Sequence, residues 1–235
     1  DSVTGDVDGD ELPELVAAAM APAAAPASFP ELHAYAYDPR SGDLLWEAPL
    51  GGYGLGDEEF QMRVAVALAD LDGDRRFEVV VSGGNTIHVL ESDGSAFDGW
   101  LTPPTSSGSY PYVYGAAAVA DIDADGELEV IAERHLYDDG IRFRSCPTLD
   151  VPRANGSELL AWDLDGSPAW TQPLAAGGTG LSSVPVVTDI DGDGRVELAD
   201  VAAATGELMW GGEIAWAPSP GAGGWDRGYA FAGAT

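Results

Sequence analysis

Four short acidic segments carry the residue types with the most definite chemistry in this sequence. They read GDVDGDELPELVAAA from Gly5, ADLDGDRRFEVVVSG from Ala69, ADIDADGELEVIAER from Ala120 and TDIDGDGRVELADVA from Thr188. Each follows the pattern D-x-D-x-D-x-x-x-E. A tight loop with this spacing presents carboxylates from positions 1, 3, 5 and 9 toward one point, together with the main-chain carbonyl of position 7. The candidate ligands are Asp6, Asp8, Asp10 and Glu14 with the Leu12 carbonyl, and Asp70, Asp72, Asp74 and Glu78 with the Arg76 carbonyl. The other two sets are Asp121, Asp123, Asp125 and Glu129 with the Glu127 carbonyl, and Asp189, Asp191, Asp193 and Glu197 with the Arg195 carbonyl. An all-oxygen set suits Ca²⁺, which takes six to eight oxygens at about 2.3–2.6 Å, better than Mg²⁺, which keeps several waters. Carboxylates crowded into one loop repel one another when no cation is bound. Folding and cation binding are therefore expected to be coupled, with one Ca²⁺ per loop. The alternative is a solvated acidic turn, and four copies in register favour the ion. Gly9, Gly73, Gly126, Gly192 and Gly194 are expected to supply the backbone freedom of the turn.

The loops need elements to hold them. The residue after the first aspartate is apolar in every copy (Val7, Leu71, Ile122, Ile190), and position 10 is Leu15, Val79, Val130 or Leu198. Apolar residues at period two mark a strand with one buried face. Upstream of the second loop, Val64, Val66 and Leu68 alternate in the same way. A second element recurs downstream, a Gly-containing turn followed by Trp: SGDLLW to Trp46, DGSAFDGW to Trp100, DGSPAW to Trp170 and TGELMW to Trp210. Three of these turns follow a strand-like run, LHAYAY from Leu32, TIHVL from Thr86 and ELLAW from Glu158. Each unit thus predicts four antiparallel strands over about 50–65 residues, the size of a propeller blade with insertions. The expected fold is all-β, a β-propeller of about four four-stranded antiparallel blades, or a fragment of a larger propeller, in a single domain spanning 1–235.

The acidic loops resemble those of FG-GAP and VCBS-type calcium-binding repeats, found in bacterial secreted proteins and in the integrin-alpha propeller. The Trp elements resemble the tryptophan-docking motif of quinoprotein-like propellers, A-x-D-x-x-x-G-x-x-x-W. Ala36, Asp38, Gly42 and Trp46 match it in full, and Ala161, Asp163, Gly166 and Trp170 match with one residue missing. In the fourth copy Ala202 stands where the Asp would be. The resemblance implies a fold more than a role, because propellers serve many functions. A quinone cofactor is not expected, since the resembling enzymes are longer and need polar ligands around a central cavity.

The units are not identical. The fourth has room for one full strand between Glu197 and its Trp element, where the others have two. Its sequence DIDGDGRVELADVAAATGEL also has an acidic residue, Asp200, at the twelfth loop position that an EF-hand requires, so a dockerin-like helix is an alternative there. The third unit carries an insertion at about 136–156, with Cys146, Pro147 and Pro152, and such loops often carry binding. The closing GYAFAGAT reads like the strand that precedes an acidic loop, so a ring could close with both termini in one blade. The chain opens on Asp1 rather than Met, as expected of a processed product or an excised fragment.

Composition narrows the partners. Of 235 residues, 40 are acidic and 10 basic, all of the latter Arg, for a net charge of −30. A duplex-binding protein needs a basic face, so a nucleic-acid partner is not expected. Neither is adsorption to an anionic membrane or, with no apolar run of 18 residues, insertion into one. A single Cys forms neither an internal disulfide nor a thiolate zinc site. No H-x-x-x-H pair, G-x-S-x-G elbow or Walker loop occurs. His33, His88 and His135 read as half-buried or surface histidines, and the recurrent Trp residues as packing between blades. Trp216, Trp225, Tyr110, Tyr112 and Tyr114 are candidates for exposed recognition.

The expected function is that of a non-enzymatic, calcium-binding propeller of a secreted or cell-surface protein, extracellular or periplasmic, mediating adhesion or recognition of a protein or glycan. One alternative is a polysaccharide lyase or glycosidase on a calcium propeller, with Arg134, Arg142, Arg144 and Arg153 as the basic cluster to inspect. Another is a structural subunit of an extracellular assembly that pairs through its terminal strands.

Overall fold

The period-two pattern resolves into antiparallel strands grouped in four sheets. The computed structural model describes residues 2–21, 31–52, 64–83, 86–100, 106–107, 110–122, 124–137, 154–173, 186–189, 196–202 and 207–211. No helix occurs among them. The first sheet has the order β1 (Ser2–Gly5), β2 (Glu14–Ala21), β3 (Glu31–Tyr37), β4 (Leu44–Gly52). The second comprises β5 (Ala65–Ala69), β6 (Glu78–Gly83) and β7 (Thr86–Leu90). The third runs from the short β8 (Ser106–Ser107) through β9 (Tyr110–Ala120), β10 (Glu129–Tyr137) and β11 (Ala154–Trp162) to β12 (Pro168–Pro173). The fourth comprises β13 (Val186–Thr188), β14 (Glu197–Ala202) and β15 (Glu207–Gly211). The strand that precedes each acidic loop adjoins its counterpart in the next sheet: β1 meets β5, β5 meets β9, and β9 meets β13. This is a propeller-like arrangement, which the described residues do not close into a ring.

Burial explains the stacking. In the second sheet Val79, Val81 and Leu90 join a core with Val16, Leu32, Ala34 and Ala36 of the first sheet. Val80, Ile87 and Val89 on its opposite face join Val130, Ala132, Leu160 and Trp162 of the third. A third core unites Ile131, Leu159 and Ala161 with Trp170 and, across to the fourth sheet, Val187. Both faces of β6 are thus buried, which is why Val79, Val80 and Val81 form an unbroken apolar run where an outer strand would alternate. Each Val or Leu fully removed from water contributes about 1.5–3 kcal/mol. A buried hydroxyl adds a directional tie, the Ala117 N–H donating to Ser82 Oγ at 2.7 Å between the second and third sheets.

Several expectations need correction. Among the described residues the second sheet has three strands, not four. Residues 91–100 instead fold as turns across the outer edge of β7, joined to it by an isolated bridge between Leu90 and Ala96. Phe97 N–H donates to Val89 O at 3.1 Å and the Trp100 indole N–H donates to Ile87 O at 3.2 Å, so the edge carbonyls are capped without a fourth strand. Gly94 and Gly99 sit at φ of 84° and 96°, which breaks the extended run. The third sheet has five strands because β8 adds a hairpin to β9. In the fourth, β15 pairs directly with β14, so among the described residues that unit is abbreviated, as its single strand's worth of sequence before Trp210 suggested. The dockerin reading falls with it, since Glu197–Ala202 is a strand and not a helix. Strand pairing of β10 with β11 continues to Tyr137 and Ala154, so the ends of the expected 136–156 insertion belong to the sheet. Cys146, Arg142, Arg144, Arg153, Trp216 and Trp225 lie outside the described residues.

The Trp element works across sheets in the first unit. Trp46 Nε1 donates to Ser92 O of the second sheet at 2.9 Å. Its ring lies against Gly94, where an added Cβ would stand 2.7 Å from Trp46 Cδ2. Gly42 occupies the equivalent turn position in the first sheet, at φ 79°, with nothing within 4 Å of a would-be Cβ. Both glycines donate their N–H back to the start of the turn, Gly42 to Asp38 O at 2.8 Å and Gly94 to Glu91 O at 2.9 Å.

These contacts predict a difference between two matched substitutions. Gly42→Ala is expected to lose about 1–2 kcal/mol, the cost of a left-handed backbone with a Cβ. Gly94→Ala should lose clearly more, because the same backbone cost is joined by displacement of Trp46. Urea denaturation of both variants checks this, and equal losses would show that Trp46 docking contributes nothing. A pH effect is also expected. Burial lowers the pKa of His88 from its usual 6.5. The folded state then prefers neutral imidazole, so this contribution is complete above pH 6.5 and falls away as pH drops toward the lowered folded value. His88→Leu should flatten the fall in melting temperature across that window.

Candidate metal centre

The acidic loops join β1 to β2, β5 to β6, β9 to β10 and β13 to β14, and strand register closes all four at the same place. The residue before the first aspartate pairs with the glutamate of position 9: Gly5 with Glu14, Ala69 with Glu78, Ala120 with Glu129 and Thr188 with Glu197. The loops are therefore equivalent insertions in equivalent hairpins. The first two are also neighbours, since a Cβ on Gly9 would lie 3.4 Å from Nε of Arg76.

Inside the loops the carboxylates organise the main chain. Position 9 is buried, with Glu14, Glu78 and Glu129 only 3%, 1% and 2% exposed. Their Oε2 atoms accept the N–H of position 2, from Val7 at 3.0 Å, Leu71 at 2.7 Å and Ile122 at 2.8 Å. The first aspartate takes N–H groups from further along the loop. Asp6 accepts from Gly9, Asp10 and Glu11, Asp70 from Gly73 and Arg75, and Asp121 from Asp125 and Gly126. The third aspartate accepts the N–H of position 7: Leu12 to Asp10 at 2.8 Å, Arg76 to Asp74 at 2.7 Å and Glu127 to Asp125 at 2.8 Å. These are Asx-type local bonds, which suit Asp better than Glu in the first five positions.

Two positions in each of the first three loops are left-handed. Position 4 is Gly9 (φ 81°), Gly73 (φ 80°) and Ala124 (φ 62°), and position 6 is Glu11 (φ 69°), Arg75 (φ 76°) and Gly126 (φ 95°). Gly9, Gly73 and Gly126 thus each occupy one of the two demanding positions of their loop, and a residue with a Cβ takes the other, while Gly192 and Gly194 lie outside the described residues.

The carboxylate oxygens come close enough to share an ion. One oxygen each of Asp6, Asp8 and Asp10 lies within 4.8 Å of the others, and so do those of Asp70, Asp72 and Glu78. Oxygens on opposite sides of a Ca²⁺ sphere are separated by about 4.6–5.2 Å, twice the ligand distance. These sets fit one such sphere, and a carboxylate that accepts N–H bonds retains further lone pairs. Asp74 falls outside the second triad and Glu14 outside the first. In the third loop Asp121, Asp125 and Glu129 take the same hydrogen-bonded positions, while Asp123 lies outside the described residues, as do Asp191, Asp193 and Arg195 of the fourth. Of the fourth loop, Asp189 follows β13 and Glu197 opens β14.

Electrostatics follow from this crowding. Burial raises the pKa of Glu78 to about 7, with Asp72, Asp74 and Glu91 adding to the rise against the Leu71 hydrogen bond. Burial likewise raises Glu14, helped by Asp8, Asp10 and Asp6. Burial and the neighbouring carboxylates thus both disfavour the ionised forms of Glu14 and Glu78.

Sequence reasoning did not single out the buried glutamate as a main-chain acceptor, although its period-two placement beside apolar residues marks it as inward-facing. It also did not pair Trp46 with Gly94, for which the repeated D-G-S turn at Asp93–Ser95 and Asp165–Ser167 was a signal. Arg134, grouped above with a basic cluster, is paired with Glu158 on the adjacent strand at 2.5 Å.

Comparison with known proteins bears on these loops. Residues 70–132 match the FG-GAP-like repeat. That segment contains the second and third acidic loops with β6, β7, β8 and β9 between them and the start of β10. Among solved structures, a Bacillus licheniformis rhamnogalacturonan lyase, PL11, aligns over 90% of this chain at 17% identity with a TM-score of 0.52. A chain from the complex of BBS1N with ARL6DN, soaked with lead, aligns over 93% of this chain and 82% of its own length at 13% identity, with a TM-score of 0.32. The likeness to the lyase is one of fold, and this chain spans 40% of the lyase chain. No curated protein matches the sequence significantly.

The left-handed positions generate a stability prediction. Ala124→Gly and Glu11→Gly relieve a Cβ in a left-handed backbone and are each expected to stabilise the protein by about 1 kcal/mol. Gly73→Ala, where a Cβ meets nothing within 4 Å, should cost about the same. Chemical denaturation with and without a chelator checks both signs, and a neutral Ala124→Gly would mean the loop carries no such strain.

Proposed function

We propose that this chain is a calcium-stabilised, propeller-like scaffold of a secreted or cell-surface protein, serving recognition of a protein or glycan. The observation that carries the reading is the shared carboxylate-to-amide network of the three described loops, two of which gather three oxygens onto the dimensions of one hard cation. In each loop the first and third aspartates hold the main chain in its turn, and the buried glutamate anchors it to the sheet. Bound Ca²⁺ would supply the charge that lets these groups stay ionised together. Because the loops join the strands at which successive sheets adjoin, occupancy would stiffen the stack and the surface it presents. Extracellular calcium modules work at about 10⁻⁴–10⁻³ M, which suits a location outside the cell.

A second reading is favoured by one observation, the fold likeness to a rhamnogalacturonan lyase across 90% of this chain. In that case the chain is the propeller portion of a polysaccharide lyase, and cleavage of rhamnogalacturonan would be its activity. The Arg134–Glu158 ion pair commits that arginine to the sheet, so such a site would draw on other residues.

Two measurements test these readings. Thermal melts in excess Ca²⁺ and in chelator, at fixed ionic strength, should differ strongly, because a site at a hundredfold excess over its dissociation constant contributes about 2.7 kcal/mol. Coincident melts would remove the calcium reading. Incubation with rhamnogalacturonan in Ca²⁺ should yield no unsaturated product if the chain is a recognition scaffold, and their appearance would establish the lyase reading instead.

A further inference from the structure

Arg76 touches two acidic loops at once. Its main chain stands at position 7 of the second loop, where its N–H donates to Asp74 Oδ1 at 2.7 Å. Its side chain crosses to the first loop, with Cγ and Nε at 3.5 and 3.4 Å from a would-be Cβ on Gly9. The Gly9 N–H donates to Asp6 Oδ1 at 2.7 Å. Bond lengths then hold Arg76 Nε within about 9 Å of that oxygen. The guanidinium also acts on its own sheet. Hydrogen bonds from Ser95 hold the Asp93 carboxyl below its usual range, and Arg76 adds to that effect.

The arrangement is not repeated at the second loop. Gly73, the counterpart of Gly9, has nothing within 4 Å of a would-be Cβ. Position 7 of the third loop is Glu127, of opposite charge. Of the first two loops, only the first has a neighbour's side chain over its position-4 glycine.

Electrostatics give that contact a role. One oxygen each of Asp6, Asp8 and Asp10 lies within 4.8 Å of the others, and like charges so close repel. A fixed guanidinium nearby offsets part of the repulsion. A dication in the same field would offset more of it, and the two cations would repel each other. Arg76 is exposed, so its field runs through water and is screened by salt. Across about 10 Å of water, a unit charge weakens the binding of a dication about threefold at about 10 mM ionic strength, and less than about twofold at about 150 mM.

We propose that Arg76 is a fixed counter-charge of the first loop, which supports its carboxylates and competes with a calcium ion there. The packing of the second sheet on the first would then raise the calcium concentration at which the first loop fills. The competition rests on the calcium reading, whereas the support of the carboxylates does not.

Calcium titration calorimetry at about 10 mM ionic strength, with melting curves in calcium and in chelator, tests this on the full chain. Arg76→Gln should bind calcium about threefold more tightly at one site. In chelator it should melt about 1–2 °C below the parent. Both shifts should shrink in about 150 mM salt. Arg76→Lys, which keeps the charge, should stay near the parent in both. In an Asp8→Asn background, where the first loop has lost a candidate ligand, Arg76→Gln should leave the remaining calcium sites unchanged. A parent chain that binds no calcium removes the calcium reading and the competition with it. Calcium binding by the parent that Arg76→Gln leaves unaltered, with the same fall in melting temperature in calcium and in chelator, shows a packing role and overturns the competition alone. An undiminished effect in the Asp8→Asn background also overturns it, because Arg76 would then act on its own loop.

Discussion

A single buried carboxylate anchors the acidic loop of each of the first three repeats. Glu14, Glu78 and Glu129 stand at the first position of the second strand of their sheets, almost fully removed from water, and accept the N–H that follows the first aspartate. That bond spans the whole acidic loop. It holds the end of one strand against the start of the next, so the loop can turn only one way and the hairpin can take only one register. The first strands that result are the ones at which neighbouring sheets adjoin. A charge in this position is costly unless it is well satisfied, and the raised pKa of Glu78 is the direct expression of that cost. On the proposed calcium reading, the residue that fixes the hairpin would also make it responsive to a cation.

Stacking is a separate matter of shape. The second sheet is apolar on both faces and fills the space between its neighbours, while Ser82 and Trp46 each send one polar tie to or from the adjoining sheet. The first sheet turns its small residues Ala18, Ala34 and Ala36 toward the second. Its other face carries His33, Tyr35 and Tyr37 stacked in a row with ring centroids 6.0 and 6.2 Å apart, and Glu47 accepts from His33 Nδ1 at 2.7 Å. Small residues let sheets approach closely, and the aromatic row serves where no sheet lies opposite among the described residues.

Much of this was legible in the sequence because two of its signals are strictly periodic. Alternation placed Val64, Val66 and Leu68 before a loop and Val79 and Val81 after one, and four acidic loops in register located the hairpins. The D-G-S turns were equally visible at Gly94 and Gly166. What could not be read was which turns would be followed by a strand. DGSAFDGW looks like its counterparts, yet Gly99 turns the chain again, and the edge carbonyls of β7 take Phe97 N–H and the Trp100 indole instead. The spacing of the ligands was legible, but the second left-handed position was not. Glu11, Arg75 and Ala124 give no local sign of an unusual backbone, which arises only from the N–H groups that the first aspartate draws inward.

The three hydrophobic cores have a consequence of their own. Each forms chiefly between one sheet and the next, so the stack behaves as a row of coupled units whose stability is a sum of sheet terms and shared boundaries. Protection against hydrogen exchange should then be graded, deepest in the second and third sheets with two boundaries each and shallower toward a sheet with one. A lesion at any boundary weakens the two sheets that share it and leaves the rest intact. Such a body tolerates the loss or lengthening of a unit, which is the kind of variation its own abbreviated fourth sheet and enlarged third sheet already display.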